Sequence, residues 1–234
     1  MMSTEALGGA EMSMLRPVLG LTGRMASGKD LAAGILRDEF GLAVIDMDRL
    51  GHAALAALAP EIETMFGPGF RQTPSGAIDR AALGRIVFSD PAALRRLEAL
   101  LHPWMVSETA RILAQDQGTG CVTNAAILHR MGLERFCTHI VFVDAPEEEL
   151  IRRIMARNSL ARDAALLRLA RQEDVNRYRE SADTVLENSG SPEEFAARVR
   201  AFAQNCFGST NHGDAAIAVR CTDRTQKGPL YPQS

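Results

Sequence analysis

Short apolar runs alternate along the chain with longer stretches in which apolar residues recur at helical spacing. Val18-Leu19-Gly20-Leu21-Thr22 reads as a buried strand. Leu31, Ala32, Ile35 and Leu36 then recur at helical spacing as far as Phe40, where Gly41 stops the run. Leu42-Ala43-Val44-Ile45 is a second buried strand closing on Asp46-Met47-Asp48, with a helix starting near Arg49. From Leu50 to about Gln117 the pattern is helical, punctuated by Pro60, Gly67-Pro68-Gly69, a Thr73-Pro74-Ser75-Gly76 turn and a helix start at Ser89-Asp90-Pro91. His102-Pro103 is expected to end one helix and open another. Cys121 to Leu128 is a third strand running into a loop, and His139 to Asp144 is a fourth. Glu147-Glu148-Glu149 opens a helix with charges that suit its dipole, and a polar, Arg-rich helix follows to about Glu180. Ala182 to Asn188 reads as the last strand, before a helix to about Asn205. Strands alternating with helices predict an α/β fold, a parallel sheet covered on both faces.

The totals change this picture little. A chain of 234 residues, 46% hydrophobic and 24% charged, can bury a real core. Its net charge of −3 offers no general attraction to nucleic acid or membrane, so basic groups must matter locally. No apolar run approaches membrane-spanning length. Cys121, Cys137, Cys206 and Cys221 form no C-x-x-C pair, which fits reduced thiols in a cytoplasmic protein. Residues 1–16 lack the apolar stretch of a signal peptide and read as a disordered leader, with Met14 an alternative start. Residues 205–234, rich in Gly, Ser, Thr and Asn beyond Phe207, read as a disordered tail. The folded unit is then 17–204.

The chemistry begins between the first strand and the first helix. Gly23-Arg24-Met25-Ala26-Ser27-Gly28-Lys29-Asp30 fits the phosphate-loop pattern G-x-x-x-x-G-K-[ST] in all but its last letter. A strand, a glycine turn and a helix N-terminus let backbone N–H groups converge on an anion, and the helix dipole adds partial positive charge. Lys29 is placed to reach the β- and γ-phosphates of a nucleotide. Asp30 stands where a hydroxyl ordinarily meets Mg²⁺. A carboxylate is also a hard oxygen ligand, but its charge makes nucleotide binding lean more heavily on the metal.

Further candidates gather at strand ends, where open α/β sheets bind ligands. Asp46 and Asp48 close the second strand; they are either a base and a metal-side acid or simple polar capping residues. Arg153 and Arg157 lie four apart on one helix face, either clamping phosphate oxygens or facing solvent. His102, at an expected helix junction, is either a ligand contact or a structural residue.

The ordered set of motifs resembles the dephospho-coenzyme A kinases across roughly Val18 to Gln204. It runs from Gly20-Leu21-Thr22-Gly23 and Ser27-Gly28-Lys29 through Val44-Ile45-Asp46-Met47-Asp48, Ile78-Asp79-Arg80, Ile86 to Pro91 and Leu101-His102-Pro103. It continues with Val143-Asp144-Ala145-Pro146, Arg153 with Arg157, Gln172, Ala182-Asp183 and Asn188-Ser189-Gly190. The resemblance implies a three-layer P-loop kinase with a helical acceptor-binding region at about 49–117 and a mobile lid at about 150–180. It implies ATP and Mg²⁺, small-molecule substrates (ATP and dephospho-coenzyme A), and transfer to the ribose 3′-hydroxyl. Gly23, Arg24, Met25, Ala26, Ser27, Gly28, Lys29, Asp30 and Leu31 would wrap the phosphates. Asp48 would be the base, Asp46 and Asp30 would sit at the metal, Arg153 and Arg157 would be lid arginines, and Asn188 and Gly190 would fall at the adenine end. Departures are Asp30, the residues Arg24 and Ala26 in place of glycines, and Ala126-Ile127-Leu128-His129-Arg130 where the family shows Pro-Leu-Leu-Phe-Glu. These departures leave two alternatives: a kinase of another small acceptor, or a nucleotide-binding relic without catalysis.

Overall fold

The computed structural model describes residues 16–72, 77–172 and 174–207. The leader to residue 15 with Met14, the Thr73 to Gly76 turn, Cys221 and the tail from residue 208 lie outside them.

Five parallel strands form the main sheet: β1 (Val18–Gly23), β2 (Ala43–Asp46), β5 (Cys121–Asn124), β6 (His139–Asp144) and β7 (Thr184–Glu187). Their spatial order is β2-β5-β1-β6-β7, so β1 is central. A small antiparallel pair, β3 (Arg71–Gln72) and β4 (Ala77–Ile78), was not foreseen in the helical region. The helices are α1 (Lys29–Phe40), α2 (Met47–Ala57), α3 (Ala59–Phe66), α4 (Arg80–Ser89), α5 (Pro91–Gln115), α6 (Glu147–Asn158), α7 (Arg162–Ala170), α8 (Val175–Ser181) and α9 (Pro192–Phe207).

The core divides by face. On one side, α1 and α9 bury Leu36, Phe195, Val199 and Phe202 against Leu19, Leu21, Val122 and Val143 of the sheet. On the other, Met47, Ala54, Met105, Leu128 and Leu133 pack on Ile45 and Ile140. A separate cluster joins α3, α4 and the first half of α5 through Ile62, Leu83, Val87 and Leu97. Another joins α6 to α7 through Leu150, Ile154, Ala165 and Leu169.

Two expectations are corrected. Pro103 does not break a helix: it lies inside the continuous α5. Its missing N–H and ring would cost an isolated helix about 3 kcal/mol. Here Leu97 packs on the α3–α4 cluster before the proline, Met105 on the sheet-side cluster after it, and Leu101 touches both. Tertiary packing on both sides holds the axis through the proline. Likewise, Asp46 and Asp48 do not share an extended segment. The strand ends at Asp46, whose side chain caps α2 by accepting from the backbone N–H groups of Asp48 and Arg49.

Candidate active site

The site forms where β1 gives way to α1, at the carboxyl edge of the sheet. Gly28, with φ of 105°, turns the chain into the helix, and among the described residues no side chain caps the N-terminus of α1. That end of the helix is therefore open to an anion. A Cβ at Gly28 would sit 2.4 Å from Asn188 Nδ2, so position 28 needs glycine for space as well as for backbone angle. Ala26 takes φ of 60° without being glycine, a strain of about 1 kcal/mol. The methyl it adds packs against the α6–α7 cluster.

The loop is held from several directions. Lys29 Nζ donates to the carbonyls of Gly23 at 3.1 Å and Arg24 at 2.9 Å. Burial brings its pKa down to about 8. Asp30 and Asp48 counter that by favouring the charged form, and Arg157 adds to the lowering. Asn188, itself buried, donates from Nδ2 to the Ser27 carbonyl at 2.7 Å. Gln172, beyond α7, accepts from the backbone N–H of Met25 at 2.7 Å. Arg24 pairs with Glu147 at 3.1 Å, fastening the loop to the start of α6.

A cavity of about 740 Å³ opens over the loop, lined by Lys29, Asp30, Asp46, Asp48, Arg153 and Arg157 among others. Local capping rather than strand alternation thus brings Asp46, at the end of β2, and Asp48, in the first turn of α2, to the same space. Asp30 Oδ1 accepts from Asn124 Nδ2 at 3.1 Å, tying it to the end of β5. Asn188 and Gly190 behave differently from the rest. Asn188 lies beneath the loop, and a Cβ on Gly190 would collide with Glu194, which forms a reciprocal cap with Ser191 at the start of α9. Met25 and Leu31 are exposed hydrophobics at the two ends of the loop.

The arginine pair also separates into two kinds. Arg153 Nε meets Glu149 at 2.8 Å, and its guanidinium donates to the Ala26 carbonyl and to both oxygens of Asn188, each at 3.3 Å. It braces the loop. Arg157 has no hydrogen-bond or carboxylate partner among the described residues and faces the cavity. Arg152 and Arg153 together hold Glu149 down to about 2. The bracing residues Asn124, Gln172 and Glu149 were not singled out as site residues from sequence, because each acts through a contact remote along the chain or one helical turn away.

Two observations test whether a nucleotide and a divalent ion suit this space. Ser27 Oγ is fully buried at the cradle with no hydrogen-bond partner among the described residues, an orphan that a bound oxyanion would satisfy. The carboxylates of Asp30, Asp46 and Asp48 are hard oxygen donors. Among the described residues, no group of three His, Cys, Asp or Glu stands ready to hold an ion alone. Mg²⁺ takes one or two carboxylates and completes its shell with phosphates and water, so oxygen donors of this kind suit it. Both groups fit.

The family model for dephospho-CoA kinase matches residues 17–194. The chain belongs to the dephospho-CoA kinase family. A relative of that name from Anaeromyxobacter dehalogenans is 41% identical over 188 residues, covering 77% of this chain and 88% of the relative. Another from Thermus thermophilus is 34% identical, covering 84% and 95%. The crystal structure of TT1252 from Thermus thermophilus superposes with a TM-score of 0.68 at 34% identity, over 80% of this chain and 95% of that one. A dephospho-CoA kinase structure from Campylobacter jejuni, at 24% identity and a TM-score of 0.58, shares the fold. The expected α/β kinase fold is thereby borne out. Among the described residues no helix is long and apolar enough to cross a membrane.

Proposed function

We propose that this cavity carries the ATP-dependent phosphorylation of the ribose 3′-hydroxyl of dephospho-coenzyme A, giving coenzyme A and ADP, in the cytoplasm. The observation that carries the reading is the convergence of Lys29, Asp48 and Arg157 over one open helix N-terminus. Lys29, whose pKa is lowered mainly by burial, feels both of the others: Asp48 favours its charged form and Arg157 opposes it.

The backbone N–H groups of the loop and the start of α1 hold the phosphates of ATP, with Lys29 turning from the Gly23 and Arg24 carbonyls to the β- and γ-oxygens. Asp48 accepts the proton of the acceptor hydroxyl as oxygen attacks phosphorus. Arg157 stabilises charge on the transferring group, and Arg153 fixes the loop that presents it. Bound Mg²⁺, held by Asp30 and Asp46, would supply Lewis-acid charge neutralisation between the phosphates. The α2–α5 region supplies acceptor contacts, and α6 to α8 close over the site to exclude water.

The test is product analysis. Wild-type protein with ATP, Mg²⁺ and dephospho-coenzyme A should yield a phosphomonoester at the ribose 3′ position by ³¹P NMR, and Asp48→Asn should lose at least about a hundredfold in turnover. A product phosphorylated elsewhere, or an Asp48→Asn variant of unchanged rate, would contradict the assignment.

A further inference from the structure

Beside the phosphate cradle lies a second, smaller cavity of about 90 Å³ that the proposed reaction leaves without a role. Its walls come from the end of β1 at Thr22 and Gly23, from the segment after β5, from Phe142 of β6, from the segment after α7, and from Val175 and Tyr178 of α8. It shares Ala126 and Gln172 with the main cavity, so the two spaces adjoin. Two arginines are among its lining residues. Arg130 arrives from the segment after β5, anchored by the fully buried Leu128 and Leu133, and Arg171 arrives from the end of α7.

Neither cation is used up. Arg171 has no carboxylate partner among the described residues. Arg130 makes one contact, from its NH2 group to Glu98 Oε2 of α5 at 2.7 Å, with side chains 41% and 24% exposed. Most of its donors remain open, and a half-exposed pair of this kind is worth little and exchanges readily. Two planar, permanently charged forks on one small space match the oxygens of a compact polyanion.

We propose that this cavity is a diphosphate subsite, in which Arg130 and Arg171 bind the diphosphate of the acceptor. The inference rests on the proposed reaction, because dephospho-coenzyme A carries a diphosphate on the same ribose that presents the 3′-hydroxyl. Arg130 belongs to the sheet side and Arg171 to the helices at 150–180. An anion between them therefore draws those helices toward the sheet when the acceptor arrives, with Glu98 giving up Arg130 to the incoming group.

The experiment is equilibrium titration by calorimetry, with the phosphate loop first saturated by a non-hydrolysable ATP analogue and Mg²⁺. Dephospho-coenzyme A, inorganic pyrophosphate and adenosine are titrated into wild type, Arg130→Met, Arg171→Met and Glu98→Gln. The two arginine variants should weaken dephospho-coenzyme A and pyrophosphate at least tenfold and leave adenosine and the ATP analogue within twofold. Glu98→Gln should tighten both diphosphates. Unchanged diphosphate binding in the arginine variants would overturn the subsite. So would an equal loss for adenosine with a fall in melting temperature in Arg130→Met and Glu98→Gln alike, since a plain structural tether gives that result. Arginine-dependent pyrophosphate binding in a protein that makes no coenzyme A would sink the reaction and keep the subsite. Coenzyme A synthesis with unaltered binding in both variants would do the reverse.

Discussion

Replacing Asn188 by alanine should damage both the fold and the phosphate cradle, although the residue lines no part of the main cavity. Its Nδ2 donates at 2.7 Å to the carbonyl of Ser27, a residue with no exposed surface, and Asn188 is itself 4% exposed. Truncation leaves that carbonyl without this donor, at a cost of about 1–3 kcal/mol. Arg153 also loses the Oδ1 half of its contact, keeping the Asn188 carbonyl and Glu149, a few tenths of a kcal/mol more. The sum is about 1–3 kcal/mol, which for a domain of this size lowers Tm by about 3–10 °C. Part of the loss falls on the loop itself. If about 1.4 kcal/mol of it is spent ordering the loop for ligand, ATP affinity drops about tenfold. Thermal unfolding and ATP titration measure the two effects separately. Asn188→Asp should be worse than alanine, since it sets an oxygen against the Ser27 carbonyl. A Tm within about 2 °C of wild type together with unchanged ATP affinity would refute the claim that Asn188 braces the loop.

Other outcomes follow from the same geometry. Arg157→Ala should lower kcat about a hundredfold or more with little change in ATP affinity, whereas Arg153→Ala should lower both and reduce Tm; identical profiles would erase the distinction between them. Lys29 has a folded pKa of about 8, lowered by burial, against its ordinary value of 10.5, so the unfolded chain holds more protons between those two values. Stability of the nucleotide-free protein should therefore rise with pH from about 8 to about 10.5, a rise that Lys29→Met should remove in denaturant titrations. Because phosphate favours the charged amine, ATP binding near pH 8 should take up part of a proton in wild type and not in Lys29→Met; calorimetry in buffers of different ionisation heat reads this directly. Asp30→Ser removes a negative charge from the cradle, so ATP affinity in EDTA should improve and its enhancement by Mg²⁺ should shrink several-fold; an unaltered metal dependence would remove Asp30 from the metal's surroundings.

The parts of the fold that were legible in sequence are those written locally. The β1–loop–α1 unit could be read because strand, glycine turn and helix are consecutive, and the Glu147 to Glu149 run marked the start of α6 correctly. The continuity of α5 through Pro103 could not, because it depends on two hydrophobic clusters built from distant segments. The Asp46 cap lies on the boundary between these cases: an Asp before an amphipathic run is a recognised start signal, and weighing it more heavily would have put Asp48 on the helix. Site residues divide the same way. Lys29 and Asp30 are visible in the motif, while the bracing of the loop by Asn188, Gln172 and Arg153 comes from side chains 161, 147 and 127 positions away from their partners. Periodicity alone gives Arg153 and Arg157 one face; only the environment of that face shows that the first is engaged and the second is open.

The most direct test of the account is coenzyme A formation by wild type and by Lys29→Met, each supplied with ATP, Mg²⁺ and dephospho-coenzyme A and each checked for ATP binding. Product from wild type that falls at least about a hundredfold in the variant is the predicted result. Wild-type protein that binds ATP yet makes no coenzyme A, or a Lys29→Met variant that makes it at the wild-type rate, would contradict the account.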